Sequence, residues 1–303
     1  MSQSIFTVQT FSVNQMDSRG SVIAIGNFDG FHLGHHQIIG TQKAIAAEKN
    51  LESIIVTFNP ATRVYFNPDF PTISTQEQKK RILESQQTDK VCIFDFDQIV
   101  NIPGEEFLSE YLIRQFNMKH IVMGENFRFG KGRGSDIRFL SEVSQRYGFG
   151  FTVVKPVLLE GIRISSSLIR ELLAQGKIEE SNRLLGRSYM IEGIVSEGDK
   201  LGRKMGYPTI NIQTQNKLLP EGVFKTSVSI NGELHAAIAY IGMRPTFKGK
   251  EKKVEAHIFD FNKFIYGENV SLFFEKKIRD EMTFDSESSL IEQIKNDIKK
   301  LKG

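Results

Sequence analysis

Short apolar runs punctuate the first 185 or so residues: "SVIAIG" (21–26), "ESIIVTF" (52–58), "KVCIFDF" (90–96), "HIVMG" (120–124) and "FTVVKPV" (151–157). Each has strand length and is bounded by breakers. Between them the spacing predicts helices. "STQEQKKRILESQ" opens with Ser74 and Glu77 at capping-box spacing. "GEEFLSEYLIRQF" follows Pro103 and carries two acids in its first turn. Such alternation predicts a parallel sheet with right-handed crossovers and helices on both faces. Two short helices, "SSSLIRELLAQG" and "KIEESNRLLG", end in Gly176 and Gly186, which suit a left-handed position after a helix.

After residue 187 the pattern changes. "SYMIEGIVS", "GVFKTSVSINGELHAAIAYIG", "KKVEAHIFDF" and "NVSLFFEKKI" read as successive strands, with Asn231-Gly232 as a hairpin turn. This predicts a small antiparallel barrel. In "SESSLIEQIKNDIKKLK", Leu290, Ile291, Ile294, Ile298 and Leu301 share one helical face, which is expected to pack on the barrel. The boundary falls near Gly186. The expected architecture is α/β: residues 1–186 form a Rossmann-like domain, and residues 187–303 form a β-barrel with a terminal helix.

Composition changes this picture little. The 303 residues are 40% apolar and 25% charged, as in a globular protein of two domains. Net charge is +3, too small for the dense basic face of a nucleic-acid binder. The single cysteine, Cys92, lies in a strand and forms no intrachain disulfide, which points to a reducing compartment. No apolar run spans a membrane, and "MSQSIFTVQTF" lacks the pattern of a signal peptide. A cytoplasmic protein without membrane or nucleic-acid partners is expected. The sequence sets no oligomeric state.

The candidate chemistry begins at "GNFDGFHLGHHQ" (26–37), after the first core strand. His32 and His35 stand where a loop enters a helix, whose N-terminal N–H groups suit phosphate. Imidazoles there can donate to phosphate oxygens and stabilise charge on a leaving pyrophosphate. A metal site and ordinary surface histidines are the alternatives. "GENFRFGKGRGSD" (124–136) adds Arg128, Lys131, Arg133, Phe127 and Phe129, suited to phosphate and to a planar ring, or to a solvated loop. "RISSSLIR" (163–170) places serines and Arg170 at a helix start, where capping alone would account for the serines.

In "GDKLGRKMGYPTIN" (198–211), glycines alternate with Lys200, Arg203 and Lys204, consistent with a flap over phosphates or a basic turn. It is not a Walker A motif. Thr209 and Asn211 share a strand face and offer two neutral oxygens, suited to Mg²⁺ alongside ATP phosphates. Glu255 in "VEAHIFDF" is either a solvent-facing strand residue or a general base.

Together, "GNFDGFHLGHHQ", "TFNP", "GENFRFG" and "ISSSLIR" resemble the N-terminal half of the prokaryotic bifunctional riboflavin kinase/FAD synthetases. The rest resembles riboflavin kinase through "GDKLGRKMGYPTIN", "PEGVF", "IGMRPTF", "VEAHIFDF" and "IRDEMTF". The resemblance implies a six-stranded kinase barrel, two ATP-dependent reactions needing Mg²⁺, and riboflavin, FMN and FAD as ligands. It implies that Gly26, Asn27, Phe28, Asp29, His32, His35, Ser165, Ser166 and Arg170 bind ATP for adenylylation, with both histidines catalytic. Phe58, Asn126, Phe127 and Arg128 would hold the flavin there. In the kinase half it assigns Gly198, Lys200, Gly202, Lys204, Gly206, Pro208, Thr209 and Asn211 to ATP. Thr209 and Asn211 would take the metal, Glu255 would be the base, and Arg279 and Glu281 would meet the flavin. Two departures stand out. Ala61-Thr62 replaces the usual His-Pro after "TFNP", and Ser167 replaces a common threonine. The first motivates a rival reading, a riboflavin kinase whose N-terminal half only binds. A flavin-sensing nucleic-acid binder is a second rival, opposed by the low charge.

Overall fold

A computed structural model describes residues 9–10, 19–197, 202, 205–246 and 249–302. It divides into two compact units, Met1–Ser166 and Ser167–Gly303.

In the first unit, β1 (Gln9–Thr10), β2 (Ser21–Ile25), β3 (Glu52–Asn59), β4 (Lys90–Asp95), β5 (Met118–Gly124) and β6 (Gly150–Val154) form one sheet in the order β1-β4-β3-β2-β5-β6. The five strands from β2 to β6 are parallel, as the apolar runs predict. The short β1 adds an antiparallel edge against β4. β2 and β3 are buried along nearly their whole length, because helices cover both faces of a parallel sheet. Chain order reverses between β2 and β5, so the loops after these two strands open the crevice where ligands bind in such sheets.

The covering helices are α1 (Leu33–Lys49), α2 (Thr62–Phe66), α3 (Gln76–Glu84), α4 (Phe96–Ile99), α5 (Gly104–Glu106) and α6 (Ile137–Tyr147); α5 continues into a π-helical segment, Phe107–Arg114. The capping box of α3 sits one residue beyond the expected place. Thr75 caps the helix, its Oγ1 accepting from Gln78 N at 3.2 Å while Gln78 Oε1 accepts from Thr75 N at 2.8 Å. Ser74 is drawn away because its N–H donates to Asp29 Oδ1 at 3.3 Å.

The second unit begins with α7 (Ser166–Ala174, which starts on the dividing residue) and α8 (Ile178–Leu185). Gly176 and Gly186 adopt φ +71° and +73°, as expected. Asn182 Nδ2 donates to Phe274 O at 2.8 Å, and Tyr189 N donates to Asn182 Oδ1 at 2.7 Å. Helix α8 is therefore fastened to barrel strands.

Those strands are β9 (Tyr189–Ser196), β10 (Ile210–Thr214), β11 (Gly222–Ile230), β12 (Glu233–Thr246), β13 (Gly249–Ile258) and β14 (Asn269–Arg279). They close into an antiparallel barrel in the order β10-β13-β12-β11-β14-β9. A short β-hairpin before α7, β7 (Leu158–Leu159) with β8 (Ile162–Arg163), stays outside both sheets. Asn231 and Gly232 turn β11 into β12 with φ +50° and +89°, the two left-handed residues of a tight hairpin. The chain ends in α9 (Glu287–Lys302). Its five apolar residues are only half-buried, and Asp297 is instead its deeply buried side chain, at 1% exposure.

Candidate active sites

The loop from Gly26 to His32 leaves the buried end of β2 and enters α1. Phe28 and Phe31 are buried with φ +50° and +41°, uncommon for side chains of that size. Gly30 has φ +77°, and a Cβ there would stand 2.7 Å from Ile73 Cδ1. The loop is thus held tightly and turns His32 into the N-cap of α1. His32 Nδ1 accepts the His35 N–H at 3.3 Å, which leaves the ring proton of neutral His32 on Nε2. The His32 and His35 rings stack, with centroids 3.7 Å apart. His35 Nδ1 is buried without a hydrogen-bond partner. Burial, then the neighbouring charges of His32 and His36, hold the His35 pKa well below the ordinary 6.5. A buried His35 imidazole kept neutral at a helix N-terminus, one nitrogen unsatisfied, is suited to an incoming anion.

Three other expected residues of this group act on neighbouring chain. Asp29 Oδ1 accepts from Ile73 N at 2.9 Å and from Ser74 N, and the Asp29 carbonyl accepts from Ser166 Oγ at 2.9 Å. Asn27 Oδ1 accepts the Thr62 N–H at 3.0 Å. That bond needs a residue other than proline at 62, so the Ala61-Thr62 departure supplies its own anchor. A Cβ at Gly26 would stand 3.1 Å from the Phe28 ring. Ser165 adjoins Ser166, while Arg170 belongs to the second unit and donates to Ser167 Oγ at 3.2 Å.

Beside the loop, a cavity of about 600 Å³ is lined by Asn27, Phe58, Thr62, Phe96, Phe127 and Phe129, with Asn126, Arg63, Arg128 and Arg133 supplying polar groups. It gathers all four residues expected to hold a flavin: Phe58, Asn126, Phe127 and Arg128. Its flat aromatic walls suit a fused planar ring, and its arginines suit an anionic tail. Arg63, whose guanidinium lies 5.2 Å from the Phe70 ring, was not singled out from sequence. Its position directly after Thr62 was the available signal.

A cavity of about 340 Å³ opens in the barrel and gathers Gly202, Thr209, Asn211, Glu255 and Arg279 from widely separated segments. Strand pairing explains the meeting. Asn211 on β10 is opposite Glu255 on β13, which is opposite Tyr240 on β12. Asn211 Oδ1 is buried and lacks a hydrogen-bond partner, and Thr209 brings a second neutral oxygen to the same cavity. These donors fit Mg²⁺, which takes few protein oxygens and keeps its remaining positions for water and phosphate. Lys253 Nζ lies 2.7 Å from Glu255 Oε1.

Arg279 Nε donates to Asp297 Oδ2 at 2.8 Å, and its guanidinium faces the Phe284 ring at 5.8 Å. Glu281 accepts the Tyr240 hydroxyl, whose ring borders the cavity. Pro208 borders a smaller recess, and its carbonyl accepts from His257 Nδ1 at 2.8 Å. Gly206 is left-handed, with φ +83°. Gly198, Lys200 and Lys204 lie outside the described residues. Lys253, Tyr240 and Asp297 were missed from sequence, since only strand register and the return of α9 bring them here. Among the described residues, no cluster of three His, Cys, Asp or Glu side chains suits a metal, so the metal alternative for the histidine loop gains no support.

Residues 14–168 match the family model described as FAD synthetase, and residues 185–303 match riboflavin kinase. A Bacillus subtilis (strain 168) protein named bifunctional riboflavin kinase/FMN adenylyltransferase is 36% identical, covering 91% of this chain and 90% of its own length. Its Escherichia coli (strain K12) namesake is 33% identical over 94% and 93%. A crystal structure from Streptococcus pneumoniae, described as a macrolide-efflux protein, is 31% identical with TM-score 0.85, covering 93% of this chain and 94% of that one. Among the described residues of this chain, no helix is long and apolar enough to cross a membrane. The two domain matches and the full-length relatives show that the chain belongs to the bifunctional riboflavin kinase/FMN adenylyltransferase family.

Proposed function

We propose that each cavity runs one of the two reactions of the family and that the residues above divide the work. The chain phosphorylates riboflavin to FMN with ATP and adenylylates FMN to FAD with ATP, releasing pyrophosphate. The observation that carries the division is that the residues expected to hold the flavin for adenylylation line a cavity in the first unit, while Thr209, Asn211, Glu255 and Arg279 line a cavity in the second.

In the barrel, Glu255 takes the proton of the riboflavin 5′-hydroxyl as that oxygen attacks the γ-phosphorus of ATP, and ADP leaves. Thr209 and Asn211 hold Mg²⁺, which when bound neutralises phosphate charge. Arg279 and Glu281 contact the flavin. Gly198, Lys200, Gly202, Lys204, Gly206 and Pro208 shape the nucleotide side.

In the first unit, the FMN phosphate attacks the α-phosphorus of ATP. His32 and His35 donate to the phosphate oxygens and stabilise the leaving pyrophosphate. Gly26, Asn27, Phe28 and Asp29 form the loop that receives ATP, with Ser165 and Ser166 of the same unit; Arg170, the further ATP residue expected from sequence, belongs to the second unit. Phe58, Asn126, Phe127 and Arg128 hold FMN. The functional division is 1–186 and 187–303, a boundary that follows the motifs, while the second compact unit starts earlier, at Ser167. The protein acts in the cytoplasm, without nucleic acid or membrane. Two substitutions test the division. His35→Ala should depress FAD formation and spare FMN formation. Glu255→Gln should abolish FMN formation while FAD still forms from supplied FMN. Loss of both activities in either folded variant would refute the assignment.

A further inference from the structure

Lys79, on α3, is 3% exposed and has no role in either reaction as described above. Its Nζ donates to the Phe58 carbonyl oxygen at 2.7 Å, and Gln76 Nε2 reaches the same oxygen at 3.3 Å. Phe58 is the penultimate residue of β3, and its side chain lines the flavin cavity. Burial lowers the Lys79 pKa to about 8, opposed by the attraction of Asp29. Asp29 sits in the histidine loop and holds the N–H groups of Ile73 and Ser74, immediately before α3. One buried ammonium thus bears on both the wall of the flavin cavity and the loop that presents His32 and His35.

Packing alone does not account for a lysine here. A buried ammonium group is unfavourable unless paired, and methionine would fill similar space without that penalty. What the ammonium adds is a fixed position for the Phe58 carbonyl, charge-assisted and therefore stronger than a neutral hydrogen bond. We propose that Lys79 is a positioning residue for adenylylation, holding the Phe58 wall of the flavin cavity in register with the histidine loop.

The proposal rests on assigning that cavity to FMN and that loop to ATP. The test uses the full chain, with Lys79→Met and Gln76→Ala as variants. FAD formation from FMN and ATP is measured at varied FMN, and FMN formation from riboflavin serves as a control within the same molecule. Lys79→Met should raise KM for FMN roughly tenfold or more, since small displacements of a reacting partner carry penalties of that order. Gln76→Ala, at a half-buried site on the same carbonyl, should raise it in the same direction by less. Kinase activity should stay at the wild-type level in both. If wild-type protein makes no FAD, the underlying assignment fails. If wild-type protein makes FAD and both variants match its KM for FMN, the positioning role is overturned. A Lys79→Met protein that fails to fold leaves Gln76→Ala to decide, and an unchanged KM there also overturns it.

Discussion

His35 is a residue whose neutral state is built in. Its ring is packed against His32, and its Nδ1 is buried with no partner. Burial and the two neighbouring histidines lower its pKa below the ordinary 6.5. The unfolded chain therefore binds this proton at a higher pH than the folded chain does. The resulting contribution to stability is full above pH 6.5 and is lost as pH falls toward the depressed folded value. Thermal melting of the first unit should accordingly move to lower temperature between pH 7 and pH 5, and less so in His35→Gln. Equal pH dependence in both proteins would refute the burial argument. For catalysis, His35→Ala should lower the rate of FAD formation on the order of a hundredfold, as removal of a preorganised donor does. At the second site, Asn211→Ala should lower kinase activity and raise the Mg²⁺ concentration needed for half-maximal rate. A change in rate with no change in Mg²⁺ dependence would remove Asn211 from the metal site.

Among the elements, α3 separates local pattern from tertiary competition. Ser74 with Glu77 and Thr75 with Gln78 both fit capping-box spacing, so sequence alone does not choose between them. Asp29, distant in sequence, takes the Ser74 N–H and leaves Thr75 as the cap. Thr75→Ala should cost about 1 kcal/mol by urea denaturation, while Ser74→Ala should leave α3 capped and cost little. The reverse order would mean that the cap lies where the sequence pattern first suggests. The same logic runs through the sites. The parallel strands, the closed barrel and the Asn231-Gly232 turn were legible because apolar runs and turn residues act over short distances. Asn27 as the anchor of Thr62, Lys253 beside Glu255 and Asp297 against Arg279 were not legible. Each depends on a pairing between segments distant in the chain. The buried Asp297 shows this most clearly, since a charge flanked by apolar helical positions reads as solvent-facing until Arg279 is placed opposite it.

For the whole molecule, the two family matches fall on successive stretches of the chain, residues 14–168 and 185–303, and FMN, the product of the kinase, is the substrate of the adenylyltransferase. The Ala61-Thr62 departure bears on only one of them. Its structural consequence is a bond from Thr62 N to Asn27 that keeps the cavity wall attached to the histidine loop. FAD formation should therefore persist. The measurement that tests this directly is a chromatographic time course of the full chain with riboflavin, ATP and Mg²⁺, resolving riboflavin, FMN and FAD. FMN should rise first and FAD should follow as FMN is consumed. FMN that accumulates without any FAD, even with excess ATP and added FMN, would contradict a working adenylylation site and leave a kinase with a binding-only N-terminal domain.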